Sequence, residues 1–195
     1  MKSSIEVTSR KAPETDLARR CNRLIRRLVV FRRPGLLSKG ILMAPHGTMK
    51  CALGRAGVSR FKREGDGTTP VGVYHVLGGF FRSDRITRMR SGVAIASMRR
   101  SHAWCDDPKC NSYNQFVTLP FNARHERLWR NDRVYDILFI LDYNSKPRRL
   151  GCGSAIFFHL ARDGNDSTEG CIAISLRDMR RLMPKLSRHV VVEIR

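Results

Sequence analysis

The fold is decided by residues 154–175, which read SAIFFHLARDGNDSTEGCIAIS. Two short apolar runs, 155–158 and 172–174, have the composition of buried strands. The residues between them are rich in Gly, Asn, Asp and Ser, which is typical of a loop. His159 ends the first run and Cys171 begins the second. Because strands that return beside each other bring their ends together, we expect the imidazole and the thiol to meet at one edge of a sheet.

An imidazole beside a thiol is what nucleophilic cysteine catalysis requires. A free thiol with a pKa of about 8.5 is mostly protonated at neutral pH, and a neighbouring imidazole stabilises the thiolate that attacks. Gly170, directly before Cys171, would let backbone N–H groups approach a reacting carbonyl without a side chain in the way. The pair is equally compatible with a buried cysteine beside a strand-end histidine, so by itself it leaves both interpretations open.

Three segments in order resemble the catalytic domain of the L,D-transpeptidase (YkuD-type) family. The first is the strand motif within 65–74, GDGTTPVGVY, the second is His159 followed by 167–172, STEGCI, and the third is the helix-like stretch 176–186. The resemblance spans about residues 24–194. It implies a mainly β fold, a β-sandwich with a C-terminal helix, and the remodelling of bacterial peptidoglycan.

The resemblance also implies roles for individual residues. Cys171 would be the nucleophile, His159 the base, and the backbone N–H groups of Gly170 and Cys171 the oxyanion donors. No metal and no organic cofactor is expected. Because both reactive residues are present, a non-catalytic envelope-binding or nucleic-acid-binding module that kept the fold is the less favoured alternative.

The chain has two departures from the family pattern, with which it resembles a divergent Thr-Glu-Gly-Cys branch. Glu169 stands where the family has His, and Ala173 stands where it has Arg or Asn. That branch is expected to join stem peptides through the first-position L-alanine, giving 1–3 links to diaminopimelate. The alternatives are the usual 3–3 links between two diaminopimelates, or a carboxypeptidase or amidase if water resolves the intermediate.

Other residues are expected to contact the substrate. Ser167 and Thr168 would form hydrogen bonds near the imidazole, and Glu169 would orient the imidazole or bind an amine. His125 is the rival for a second catalytic or substrate-binding imidazole. The remaining candidates in the flanking loops are Tyr143 and Arg162.

Composition points to anionic partners. The formal net charge is +20, with 37 Lys and Arg against 17 Asp and Glu. Peptidoglycan stems and envelope phosphates accommodate this charge, and so would nucleic acid. Since no zinc-finger, RNP or basic-zipper pattern occurs, we expect stem peptides and the anionic envelope surface as partners, and no nucleic acid.

The length suits one domain, predicted over 21–195, preceded by a flexible basic tail over 1–20. No segment approaches the roughly 18 to 20 apolar residues of a membrane span, and no recognisable signal peptide is found. The family's substrate nevertheless implies the periplasm or cell envelope. The oligomeric state is left open.

The six cysteines do not form a dense disulfide framework. Cys105 and Cys110 could pair, or bind a metal with His102, but a fourth ligand is lacking. Unpaired thiols and no metal site are the expectation.

Local patterns predict strands at 24–32, 41–44, 49–53, 71–77, 134–141 and 189–194, besides the two central ones. The stretch 80–103 is predicted to be a long surface excursion, and 125–130 a helical turn. Trp104 and its neighbours would either line a binding cleft or fix a tight turn.

Overall fold

A computed structural model describes residues 24–87, 89–162, 164 and 166–195 of the chain. The predicted tail at 1–20 lies outside these residues, and so does the predicted domain start at 21. The extent of the domain therefore stays a prediction. The elements quoted below all lie in the described part.

The strands are β1 (Ile25–Arg32), β2 (Lys39–Ala44), β3 (Gly47–Ala52), β4 (Val58–Ser59), β5 (Thr69–Pro70), β6 (Gly72–Phe81), β7 (Ile95–Ser97), β8 (His102–Cys105), β9 (Gln115–Thr118), β10 (His125–Arg127), β11 (Ile137–Leu141), β12 (Phe157–Leu160), β13 (Ile172–Ile174) and β14 (Leu186–Ile194). The described residues contain one α-helix, α1 (Leu176–Leu182), and two 3-10 turns, Arg133–Tyr135 and Met183–Lys185.

Most strands belong to one sheet that closes on itself. Its order is β11-β12-β13-β3-β2-β1-β14-β6-β7, and β6 also pairs with β11. The ring encloses a core that includes Leu28, Val30, Phe139, Phe158 and Val192. The expected mainly β, sandwich-like architecture with a C-terminal helix is confirmed.

Alternation of buried and exposed residues accounts for strand β1. In β1, Ile25, Leu28 and Val30 are buried while Arg26 and Arg27 are exposed. The break in strict alternation coincides with a register shift against β14 between residues 25 and 27. A bulge of this kind lets the strand keep its apolar face toward the core.

The helix begins and ends for local chemical reasons. The Ser175 hydroxyl caps it by accepting a hydrogen bond from the Asp178 N–H at 3.1 Å. Met179 and Leu182 are buried on its inner face, as the helical spacing predicts. Pro184 lies in the 3-10 turn that follows, because a proline has no N–H to continue the helix.

Two local predictions are wrong, and the strand predicted at 134–141 is shorter, because Arg133–Tyr135 form a 3-10 turn before β11. Residues 125–127 form strand β10, paired antiparallel with β8, and not a helical turn, because the pairing supplies hydrogen bonds that local propensity does not count. The stretch 80–103 is not a plain loop, since it contains the end of β6, all of β7 and the start of β8.

A small sheet of order β10-β8-β9 packs beside the main one. A second apolar cluster lies with it and includes Trp104, Leu128, Tyr135, Phe157 and Cys171. This cluster joins the small sheet to the end of the main sheet where the site is built. Within the described residues no helix is long and apolar enough to cross a membrane.

Candidate active site

Cys171 lies just before β13, and only 7% of the residue is exposed. Its thiol donates a hydrogen bond to the Ala155 carbonyl at 3.1 Å. Its sulfur accepts a hydrogen bond from the Phe157 N–H at 3.3 Å. The sulfur is therefore held against the segment that leads into β12.

His159 lies on β12, next to Ala173 of β13. Its Nδ1 donates a hydrogen bond to the Leu160 carbonyl at 2.8 Å, which leaves Nε2 as the basic nitrogen. The ring of Tyr135 packs edge-on against the imidazole at 5.1 Å. The base is thus fixed in both tautomer and orientation.

The two strands run parallel, so their ends do not meet as a hairpin would bring them. Phe158 pairs with Ile172 and His159 with Ala173, which places Cys171 two residues before the level of His159. Two residues of strand correspond to about 6.6 Å. The thiol and the imidazole face one cavity, and among the described residues they form no hydrogen bond with each other.

Burial keeps both groups neutral in the free protein. It raises the pKa of the Cys171 thiol to about 12, and the negative charge of Glu126 acts in the same direction, against the Phe157 N–H and Lys62. Burial lowers the pKa of His159 to about 4, against the backbone of Leu160 and Val134, which favours the protonated form. Burial therefore favours the neutral thiol and imidazole over a thiolate–imidazolium pair.

Both groups line a cavity of about 620 Å³. Its wall includes the predicted residues Ser167, Thr168, Glu169 and Arg162. The structure thus brings six predicted residues to one cavity, since Cys171 and His159 lie there too. A larger cavity of about 940 Å³ lies beyond Arg162, but neither reactive residue lines it, so chemistry assigns the smaller one as the site.

Thr168 fixes the turn before the nucleophile. Its hydroxyl donates to the Cys171 carbonyl at 2.7 Å and accepts from the Gly170 N–H at 3.1 Å. Gly170 has φ 139°, and a Cβ there would lie 2.7 Å from the Thr68 carbonyl oxygen. The structure therefore requires glycine at position 170. The Gly170 N–H, which was expected to bind an oxyanion, already donates to the Thr168 hydroxyl.

Two predicted residues at the rim form ion pairs. Glu169 is largely exposed and its carboxylate pairs with Arg55 Nε at 3.0 Å. Arg162 Nη2 lies 3.5 Å from Asp132. Neither side chain is buried against the thiol.

Two predicted residues lie away from the cavity wall. His125 bonds through Nδ1 to the Ala123 carbonyl at 2.8 Å. Side chains alternate along β10, so its neighbour Glu126 faces the cavity instead. The Tyr143 hydroxyl donates to the Cys152 carbonyl, and its ring packs edge-on against Tyr74 at 5.5 Å.

Asn114 belongs to the stretch at 104–114 that was expected either to line a binding cleft or to form a tight turn. Its Oδ1 accepts from Trp104 Nε1 at 3.0 Å and from the Ala155 N–H at 3.1 Å. Its Nδ2 donates to the carbonyls of Tyr143 and Asn144 at 3.0 and 2.9 Å. Trp104 therefore fixes a tight turn, which in turn holds the residue that binds the thiol.

A second set of hydrogen bonds near the site surrounds Glu64. Its carboxylate accepts hydrogen bonds from the Tyr113 hydroxyl at 2.5 Å and from Ser154 Oγ at 2.8 Å. Tyr113 also accepts from the Gly153 N–H at 3.0 Å. Glu64 thus ties the loop at 62–68 to the segment before β12.

No metal centre appears in the part of the chain that the structure describes. No group of three or more His, Cys, Asp or Glu side chains there could hold an ion. Cys105 and Cys110 are both free thiols in this structure.

Comparison with known protein families supports the interpretation of this site. The family model of the L,D-transpeptidase catalytic domain (YkuD) matches residues 26–194. Comparison with curated proteins and with solved structures gives no significant match. The family acts on the bacterial cell wall, which implies a location in the cell envelope. The matched range contains Cys171, His159 and the whole closed sheet except Ile25. The chain therefore belongs to the L,D-transpeptidase catalytic domain family.

Proposed function

We propose that the protein is a peptidoglycan L,D-transpeptidase that joins stem peptides through an acyl-enzyme on Cys171. The observation that carries this proposal is the shared cavity, in which the Cys171 thiol and the tautomer-fixed imidazole of His159 face the same space. A cavity of about 620 Å³ is of the size that small-molecule and peptide sites have.

The first half of the reaction acylates the enzyme. The Cys171 sulfur attacks the carbonyl of a stem-peptide amide while its proton passes to His159 Nε2. The same proton then goes to the leaving amine, the C–N bond breaks and a thioester remains. Since both groups are neutral before substrate binds, the proton moves as the C–S bond forms.

The second half forms the crosslink. The amine of a second stem attacks the thioester, a C–N bond forms, the C–S bond breaks and the thiol is restored. Water in place of the amine would give a carboxypeptidase or amidase product. The reaction uses no metal or organic cofactor.

The donor is proposed to be the acyl group of the first-position L-alanine. Ala173 lines the cavity where the family has a longer polar residue, and Glu169 points to Arg55 at the rim. The two substitutions remove one cationic group from the donor side of the cavity. The altered cavity suits a small acyl group. The anionic remainder of the stem would be held by arginines of the flanking loops that line the cavity, among them Arg124 and Arg162.

The test is the digestion of peptidoglycan treated with the purified protein, followed by tandem mass spectrometry of the dimeric muropeptides. The proposal expects dimers that link L-alanine to diaminopimelate. Dimers linking two diaminopimelates would contradict the donor assignment and keep the enzyme class, and trimmed monomers alone would indicate a hydrolase.

Two variants control this experiment. Cys171→Ala should form no dimers. Cys152→Ala removes a thiol that does not line the cavity and should retain activity. Equal dimer formation by both variants would contradict the proposed role of Cys171.

A further inference from the structure

Two acidic side chains in the catalytic cavity, Glu64 and Glu126, form no close ion pair among the described residues. Five Asp or Glu residues line the cavity: Glu64, Asp106, Glu126, Asp166 and Glu169. Glu64 is held by two hydroxyls, while Asp106 and Glu169 form ion pairs with Arg124 and Arg55. Asp166 lies at the exposed rim. Glu64 has two hydroxyl partners and Glu126 has one, and of these two acids it is the charge of Glu126 that acts on Cys171.

The nearest cation to Glu126 is committed elsewhere. Arg130 Nη1 lies 3.6 Å from the Glu126 carboxylate. The same guanidinium forms two shorter bonds to Asp132, at 2.8 and 2.7 Å. A bidentate pair of this kind takes most of the charge of an arginine. Glu126 therefore depends on the neutral hydroxyl of Tyr135, which donates to it at 2.7 Å.

Glu126 is also near the reacting sulfur. Its charge is, after burial, the largest influence raising the pKa of Cys171. Burial raises the pKa of Glu126 itself, which is the response of a carboxylate with too little positive charge nearby. About a quarter of the side chain (27%) is exposed, so a ligand can reach it. Tyr135 fixes its direction, because the Tyr135 ring is buried between His159 and Phe157.

We propose that Glu126 is the subsite for the acceptor ammonium group, and that its carboxylate takes the proton that the acceptor must lose before it can attack. This inference rests on the proposed function, because only amine transfer needs such a site. It does not depend on which donor bond is cleaved, since the acceptor is an amine in either case.

The step balances as follows. The acceptor R–NH₃⁺ gives one proton to the Glu126 carboxylate and becomes R–NH₂. The amine attacks the Cys171 thioester, the new C–N bond forms and the C–S bond breaks. The second N–H proton passes through His159 to the sulfur, and Glu126 releases its proton to solvent. The net products are an amide, a free thiol and one proton.

The test separates acylation from transfer. A synthetic stem peptide serves as donor, and intact mass follows the thioester on Cys171. A tripeptide stem ending in diaminopimelate serves as acceptor, with the same tripeptide acetylated on its side-chain amine as the blank. The measured quantities are the rate of acyl-enzyme formation, the KM for acceptor and the ratio of transfer to hydrolysis.

Glu126→Gln removes the charge and keeps the shape. We expect acyl-enzyme formation within about threefold of wild type, and a ratio of transfer to hydrolysis at least about tenfold lower, with a raised acceptor KM, because a charge-assisted contact is lost. Glu126→Asp keeps the charge and should recover part of the ratio. Glu193→Gln, an acid on β14 paired with Arg27, is the matched control and should leave the ratio unchanged.

The outcomes are distinguishable. Normal acylation with an unchanged ratio and an unchanged acceptor KM in Glu126→Gln would overturn the ammonium subsite and leave the proposed function standing. Failure of the wild type to form any thioester would overturn the proposed function, and the subsite with it. Normal acylation also shows that the variant is folded, so a structural loss is not mistaken for the expected effect.

Discussion

The Cys171 thiol donates its hydrogen bond to the Ala155 carbonyl at 3.1 Å, and Ala155 has the left-handed backbone conformation, with φ 52°. A non-glycine residue in this region is uncommon and costs on the order of 1 kcal/mol. The surrounding structure holds it there through the Asn114 side chain. The thiol is therefore bound to the carbonyl of a residue with a strained backbone conformation. Burial favours this thiol over a thiolate paired with His159.

This state predicts the reactivity of the free protein. Because burial raises the pKa of Cys171 to about 12, its alkylation by iodoacetamide should be slow at pH 7 and should rise about tenfold per pH unit up to pH 9, without a plateau. Mass spectrometry of peptides after timed alkylation gives the rate at each site. The partly exposed Cys152 serves as comparison and should react faster at pH 7. A plateau for Cys171 near neutral pH would mean that a thiolate is already present.

The sequence predicts those parts of the site that are close together in the chain. Cys171, Thr168 and Gly170 form one turn, so a local motif identifies them. Glu126 reaches the cavity only because β10 pairs with β8. Asn114 holds Ala155 at the cavity wall only because the turn before β9 folds back onto the segment before β12. Such pairing depends on contacts distant in sequence, which periodicity does not report.

His125 is one position away from the residue of β10 that lines the cavity. His125 was predicted to belong to the site because it carries an imidazole, but alternate residues of a strand face opposite sides, so Glu126 lines the cavity and His125 does not. The direction of β12 relative to β13 was likewise not predictable, since apolar runs of four residues carry no sign of parallel or antiparallel pairing.

Substitution of Gly170 tests the turn before the nucleophile. In Gly170→Ala the added Cβ would lie 2.7 Å from the Thr68 carbonyl oxygen at φ 139°, so backbone must move. We expect the free energy of unfolding to fall by on the order of 3 kcal/mol. Gly65→Ala is the matched control, because φ there is 75° and nothing lies within 4 Å of the new Cβ. It should cost only about 1 kcal/mol by urea denaturation. Equal losses in the two variants would show that the contact with Thr68 is not limiting.

Removal of the Asn114 side chain tests how the Ala155 carbonyl is held. Asn114→Ala deletes four hydrogen bonds and leaves buried partners unsatisfied. We expect a loss of about 2 to 4 kcal/mol of stability. We also expect slower acylation of Cys171 per folded molecule, measured by intact mass, because Ala155 no longer directs the sulfur. Asn111→Ala, an exposed site in the same turn, should change neither quantity. Normal acylation of the folded fraction of Asn114→Ala would limit the role of Asn114 to stability.

The buried imidazole predicts how stability depends on pH. Its pKa is lowered from 6.5 to about 4 in the folded protein, so between these values the unfolded chain binds a proton that the folded protein does not. Stability from this group is therefore complete above about pH 6.5, falls as the pH drops toward 4 and stays low below that. A shift of this size corresponds to about 3 kcal/mol.

Because other groups titrate too, we expect the effect in the difference between wild type and His159→Gln, whose side chain stays neutral. Urea denaturation at intervals from pH 4 to pH 8 gives that difference. A difference that does not change over this range would mean that the imidazole titrates normally in the folded protein, and that burial does not keep it neutral.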